Sequence, residues 1–464
     1  QLKHNPSTRE DMSIINEDII HNILASVQSP DDNRLSEILA KASGKKGLSM
    51  EETAELLAIN NAAQLKRLFL AAGKVKNEIY GNRLVLFVPL YVSDYCINDC
   101  VYCGFHCSNR LLKRRRLSIE EIAEQTKLII RLGHKRILFE AGEHPQTSID
   151  YVCEAIRTIY NTKVGNGEIR RVNVNIAATS VENYGKLKQA GIGTYQLFQE
   201  TYHRETYEKL HRGPKADYER QITAHGRAFE AGIDDYGIGV LFGLYDYRFE
   251  VLSLLAYIKH MENKCGVGPH TISVPRLRPA PSVVYKPEFP VSDQDFLKLI
   301  AVLRLAVPYT GMILSTREPP KLRQKAFEIG ISQASAGSKA SIGGYSKNEN
   351  AQFELADHRP VDEVVRSVCK QGLLPSFCTA CYRSKRTGEN FMKLAKSGNI
   401  NFLCRPNAIL TFKEFLIDYA SAETKEDGGK AITRELEKID DAERKKETIK
   451  RLKKIEDGER DLFF

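Results

Sequence analysis

The sequence predicts an α/β protein centred on a closed parallel (β/α)8 barrel of the TIM type. A helical extension precedes the barrel and a mainly helical region follows it. Three observations lead there. Eight short apolar or β-rich runs recur between Leu84 and Ala334, separated by longer stretches of helical pattern, and that alternation over about 250 residues is what such a barrel needs. Residues able to do chemistry follow the runs, at the strand ends where the connecting loops of a barrel converge. The 464 residues are 42% hydrophobic and 27% charged, a globular balance that excludes a collagenous, disordered or disulfide-stapled chain. An open doubly wound sheet is the competing arrangement.

Residues 1–80 are expected to form the extension. Apolar residues fall at helical spacing there (Ile19, Ile20, Ile23, Leu24; Leu35, Ile38, Leu39; Leu56, Leu57; Leu65, Leu68), and Ser49 with Glu52 forms a capping-box signature before Met50–Leu57. Residues 81–345 hold the eight runs: Leu84–Val92, Arg136–Glu140, Val172–Ile176, Thr194–Phe198, Tyr236–Leu241, Thr271–Val274, Met312–Ser315 and Ile331–Ala334. Residues 346–464 are read as a C-terminal domain that binds a second cluster. Its charged tail, 423–464, is expected to form an amphipathic helix on the body, with Ile432, Leu436, Ile439, Ile449, Leu452 and Ile455 on one face.

Lys and Arg total 68 against 59 Asp and Glu, and the resulting +9 is spread along the chain, so no nucleic-acid partner is expected. No run reaches the ~18 apolar residues of a membrane span, and Gln1 to Asp32 lacks an apolar signal core; a cytoplasmic protein without membrane contact is expected. Most of the ten cysteines gather in two tight groups, which in that compartment points to metal or redox chemistry.

Cys96, Cys100 and Cys103 place three thiols within eight residues after the first run. They could ligate three irons of a cubane. The fourth iron would stay open to the amino and carboxylate groups of S-adenosylmethionine. Cys107 leaves two other readings open, as the fourth ligand of a zinc site or of an electron-transfer cluster.

This CxxxCxxC loop, with aromatic Tyr102 before its last cysteine, resembles the radical S-adenosylmethionine superfamily. The resemblance implies that Tyr102 backs the adenine and that Gly142 and Glu143 belong to the Gly-Gly-Glu element that binds the methionine amino group, with Ala141 replacing the first glycine. It also implies that Arg220 pairs with the cofactor carboxylate. Glu200, after the fourth run, is a further cofactor-binding candidate.

Cys378 and Cys381, with Cys404 after 22 intervening residues, form a second three-thiol set. A structural zinc completed by a distant His is the alternative to a second iron–sulfur cluster. The two sets together, with Cys381-Tyr382-Arg383-Ser384-Lys385-Arg386-Thr387-Gly388-Glu389, the stretch from Tyr195 to His203 and that from Val274 to Pro279, resemble the tyrosine-lyase maturases of [FeFe]-hydrogenase. A sibling family, the tyrosine lyases of thiamine thiazole synthesis, is not expected to carry the second set.

The resemblance implies that L-tyrosine loses an amino hydrogen to the adenosyl radical and breaks at Cα–Cβ, giving p-cresol and dehydroglycine. Dehydroglycine then yields CO and cyanide at an auxiliary cluster with a labile extra iron, bound partly through free cysteine. Expected partners are a flavodoxin- or ferredoxin-type reductant and the other hydrogenase maturation proteins; Lys113-Arg114-Arg115-Arg116 could dock an acidic reductant, although a solvated charge run is the favoured reading of it. Arg317, after the seventh run, suits the substrate carboxylate, as guanidinium pairs with carboxylate bidentately; a structural ion pair with Glu318 competes. Tyr91, Ser335 and Arg276 are further substrate candidates, with a core tyrosine the alternative for Tyr91 and a barrel-lining ion pair the equal alternative for Arg276. His270 is the candidate ligand to the extra iron, with His106, His144 and His203 as others. A thiazole-pathway lyase and a non-catalytic iron–sulfur scaffold remain the competing functions.

Overall fold

The computed structural model describes residues 13–346 and 351–464, so the first twelve residues of the extension lie outside the described part. Four helices open the chain: Glu17–Ser26, Asp32–Ser43, Met50–Leu57 and Ala62–Tyr80. Asn16, Asp31, Ser49 and Asn61 cap them by accepting backbone N–H bonds, and the Ser49/Glu52 capping box forms as expected. Gly81, at φ +64°, ends the fourth helix and turns the chain into the barrel.

All eight expected strands form: β1 Arg83–Ser93, β2 Arg136–Ala141, β3 Arg171–Asn175, β4 Tyr195–Gln196, β5 Tyr236–Gly239, β6 Thr271–Ser273, β7 Gly311–Leu314 and β8 Gln333–Ser335. They run parallel in chain order, and β8 closes on β1 through Val85↔Gln333, Leu86↔Ala334 and Phe87↔Ser335. The sheet is therefore a barrel and not the open alternative.

Two features were not expected. A short hairpin pairs Lys163–Val164 with Gly167–Glu168. A ninth strand of the main sheet, β9 Leu374–Ser376, lies parallel to β1. It explains why β1 is long: β9 takes Arg83–Val85, and β2 takes the same strand only from Val88 onward. The C-terminal region is thus joined to the end of the barrel where its strands begin.

Side chains alternate along the strands, so every second residue points into the barrel. Val85, Arg136 and Gln333 line a cavity at the strand starts, and Tyr91, Glu140 and Ser335 line another at the strand ends. Phe87, Leu138 and Ile313 pack together as the layer between.

Helix Ala62–Tyr80 packs on Asp293–Ala306, which is buried from Phe296 to Ala306 because the barrel covers its other side. Within it the buried Arg304 donates to the carbonyls of Pro308, Thr310 and Gly330, so the cation needs no carboxylate. The tail differs from expectation: it forms two helices, Ala422–Glu437 and Ala442–Glu456, the second capped by Asp441. A carboxylate that accepts the Arg444 N–H competes with helix continuation, which the apolar spacing alone does not reveal. No helix among the described residues is long and apolar enough to cross a membrane.

Candidate active site

The loop after β1 brings Cys96, Cys100 and Cys103 to a cavity of about 220 Å³ at the strand ends. The loop is fixed by its own backbone: the Ile97 N–H donates to the Glu143 carbonyl, 2.8 Å, and the Cys103 N–H closes a turn on the Cys100 carbonyl, 3.1 Å. Asn98 donates to Glu143 Oε2 at 2.7 Å and accepts from the Lys215 N–H at 2.8 Å. Burial pushes the Cys100 and Cys103 thiols up, so a bound cation is what would hold them as thiolates. Cys107 is exposed and outside the cavity, which leaves three thiols and no fourth. The donor set fits a cubane with one open iron better than a closed zinc site.

The cofactor candidates surround these thiols. Tyr102, Gly142, Glu143 and Glu200 all line the cavity. The Tyr102 hydroxyl is 2.7 Å from His211 Nε2, which fixes the ring. Glu200 has φ +70°, a left-handed backbone that a non-glycine residue keeps only where its surroundings impose it. Its carboxylate pairs with Lys215 Nζ at 2.7 Å and its carbonyl accepts the Leu241 N–H. Arg220 stands one step back, with Nη2 2.6 Å from Glu143 Oε1.

Gly142 has a steric reason. A Cβ there would lie 2.4 Å from the Tyr95 carbonyl oxygen and 3.2 Å from Cys96 Cβ. Gly142→Ala is therefore expected to displace the cysteine loop and sharply lower first-cluster iron and S-adenosylmethionine binding. The reduced cluster's electron paramagnetic resonance signal, with and without S-adenosylmethionine, checks this; a full signal with an unchanged response would contradict it.

Deeper in the cavity stand Tyr91, Arg317 and Ser335. The Arg317 guanidinium lies 3.3 Å over the Phe353 ring and has no carboxylate partner among the described residues. Burial lowers its pKa, against the pull of Tyr91 and Glu140. Glu318, the competing partner, is instead held by Arg276, Nη2 to Oε2 2.5 Å.

That contact corrects the reading of Arg276. Its guanidinium is also 2.8 Å from Asp293 and donates to the Val291 carbonyl, and it does not line the cavity. It ties the loop after β6 to that after β7 and spends its charge on Glu318 and Asp293 outside the substrate cavity. The Ser335 hydroxyl oxygen accepts the Thr316 N–H at 3.1 Å, which leaves its own O–H to donate.

Glu140 was missed by sequence reading. It is the penultimate residue of β2, beside Tyr91 and Asn175 in register, and burial raises its carboxyl to about 8. Only its inward place in the alternation Arg136, Leu138, Glu140 signals it.

Cys378, Cys381, Cys404 and His270 meet at the other end of the barrel, around a smaller cavity of about 40 Å³. His270 Nδ1 is 2.7 Å from Asp235 Oδ2, an arrangement that orients Nε2 as a ligand nitrogen. Arg83, Arg136 and Arg171, at the first positions of β1, β2 and β3, line the same cavity and were not anticipated. Arg83 Nε and Arg136 Nε are buried without a hydrogen-bond partner among the described residues, a cationic wall that suits an anionic thiolate cluster.

His106, His144 and His203 follow strands at the opposite end, so none of them reaches this cavity. The docking reading of the basic run is also corrected. Arg114 donates to the carbonyls of Phe105 and His106, Arg115 pairs with Glu121, and Arg116 lies over the Tyr151 ring, so three of its four cations are engaged within the fold.

Residues 90–255 match the Radical SAM superfamily, and 273–374 match the Biotin and Thiamin Synthesis associated domain. The crystal structure of HydG, a maturase of the [FeFe]-hydrogenase, superposes with a TM-score of 0.95 at 55% identity, covering 97% of this chain and 100% of that one. The chain belongs to the HydG family of radical S-adenosylmethionine maturases.

The family's structure from Carboxydothermus hydrogenoformans is 40% identical, TM-score 0.82, over 94% of this chain and 96% of that one. The 2-iminoacetate synthase of Salmonella typhimurium is 32% identical over 71% of this chain and 86% of its own length. As a HydG-family radical S-adenosylmethionine enzyme, the chain takes a [4Fe–4S] cluster, S-adenosylmethionine and an auxiliary cluster.

Proposed function

We propose that the chain cleaves L-tyrosine to p-cresol and dehydroglycine at the first cavity. Dehydroglycine is converted to CO and cyanide at the second, where an iron carbonyl cyanide unit is assembled for [FeFe]-hydrogenase. The observation that carries this reading is the pair of three-cysteine cavities at opposite ends of one barrel, separated by a single apolar layer. The likeness to HydG extends over 97% of the chain, whereas that to 2-iminoacetate synthase extends over 71%, which favours the maturase over the thiazole-pathway lyase.

When bound, the cluster of Cys96, Cys100 and Cys103 and S-adenosylmethionine supply the radical that begins the cleavage. The remaining roles fall to side chains. Arg317 binds the tyrosine carboxylate in two hydrogen bonds, Phe353 backs the guanidinium, and Ser335 donates a third bond. Glu140 and Tyr91 face the amino group. A buried carboxyl near 8 is placed to take the ammonium proton, so that the nitrogen presents a neutral N–H.

The apolar layer of Phe87, Leu138 and Ile313 lies on the short route between cavities and would keep dehydroglycine from bulk water. At the far end Cys378, Cys381 and Cys404 hold the auxiliary cluster, and His270 binds the extra iron together with free cysteine. A flavodoxin- or ferredoxin-type protein supplies electrons, and the other maturation proteins receive the product. Residues 1–80 serve as extension, 81–345 as the radical domain and 346–464 as the auxiliary-cluster domain.

Anaerobic turnover of the reconstituted enzyme with L-tyrosine, S-adenosylmethionine and dithionite tests this. The expected products are p-cresol, CO and cyanide. p-Cresol without CO would assign the chain to dehydroglycine supply alone, and neither product would leave a scaffold.

A further inference from the structure

A third cluster of ligand-type side chains lies outside both cavities. Glu17 and His21 stand one turn apart on helix Glu17–Ser26, and His203 follows Glu200 by three residues in the loop after β4. One ligand atom from each lies within 4.8 Å of the other two. We propose that Glu17, His21 and His203 bind a divalent cation of the zinc class, which fastens the first helix to the loop that carries Glu200.

Three features of the contacts support it. Glu17 Oε2 and His203 Nε2 are 3.8 Å apart. That is too long for a hydrogen bond, and a little more than the roughly 3.3 Å between two ligands of one tetrahedral zinc with bonds of about 2.0–2.1 Å. Two of the three ligands are also held from behind. Glu17 Oε1 accepts the Arg204 N–H at 2.7 Å, which leaves Oε2 free. His203 Nδ1 caps the following helix by accepting the Thr206 N–H at 3.3 Å and lies 2.8 Å from the Thr206 hydroxyl oxygen, which becomes the acceptor for an Nδ1 proton in the tautomer that frees Nε2 for a metal.

The rings are held by packing as well. His203 stacks flat on Tyr245 with centroids 3.9 Å apart, and His21 lies against Phe249 at 5.0 Å and edge-on to His203 at 6.0 Å. His21 makes no hydrogen bond among the described residues and keeps its ring nitrogens available. Two imidazoles and one carboxylate form a donor set that zinc accepts, with water completing the shell.

The full-length protein with both iron–sulfur clusters reconstituted is the material to use, because filled clusters leave fewer competing thiols. Equilibrium dialysis against Zn2+ at micromolar free concentration is expected to show one equivalent bound, with slower hydrogen exchange across residues 17–26. Co2+ in its place should give d–d bands without a thiolate charge-transfer band. His21 is exposed and Glu17→Gln is nearly isosteric, so His21→Ala and Glu17→Gln should fold with unchanged iron content. Each should weaken Zn2+ binding by about 10–100-fold or more and abolish the protection. No uptake by the wild-type protein, variants that bind as it does, or a thiolate band with Co2+ would each overturn the site.

Discussion

Replacing Arg317 with alanine is expected to raise the KM for L-tyrosine by about two to four decades, while the first cluster stays fully loaded. The magnitude follows from the environment. The guanidinium is buried over Phe353 with no carboxylate of its own among the described residues, so the substrate would supply the missing half of a buried ion pair. Removing one member of such a pair costs about 3–5 kcal/mol, and each 1.36 kcal/mol is a factor of ten.

In the proposed role the contact is to the carboxylate, which does not change during Cα–Cβ cleavage. Its loss should therefore fall on KM more than on kcat. Arg317→Lys should recover part of the affinity, since a point charge replaces the bidentate fork. Initial rates of p-cresol formation against tyrosine concentration measure both variants. An unchanged KM in a cluster-replete Arg317→Ala protein would show that the carboxylate is bound elsewhere.

The limits of sequence reading are visible in the same cavity. Cys96, Cys100 and Cys103 were legible because their spacing is covalent, and one loop must carry all three to one place. Arg317 was legible as the end of a strand. Its freedom was not, because that depends on Glu318 being taken by Arg276 from a different strand.

Glu140 and Arg136 were read only as strand residues, and Arg83 fell just before the first expected run. Their meaning depends on which end of the barrel each one faces, and that follows from register across neighbouring strands. The eight barrel strands show as apolar runs because each is buried on both faces. β9 escaped because it is three residues long, contains Pro375 and pairs only with the first turn of β1. Nothing local in Leu374-Pro375-Ser376 announces a strand; the free edge of β1 creates it.

That short strand also sets the second large effect. β9 ends at Ser376, two residues before Cys378, so the barrel itself positions the second cysteine set beneath its own strand starts. Arg136 Nη2 reinforces this by donating to the Cys378 carbonyl at 2.8 Å, a contact with backbone that does not need the thiol. A double substitution, Cys378→Ser with Cys381→Ser, should therefore leave the chain path intact.

The first cavity lies beyond the Phe87, Leu138 and Ile313 layer and shares no lining residue with the second. Sites so separated respond nearly independently, and p-cresol formation should stay within a factor of about two of wild type. CO and cyanide should fall below detection, because two of the three thiolates at the second cavity are gone. Gas-phase infrared or haemoglobin capture of CO, alongside chromatography of p-cresol, reads both arms in one reaction. Loss of p-cresol as well, in folded protein with the first cluster fully loaded, would mean that the two ends of the barrel act as one site and that the division of labour is wrong.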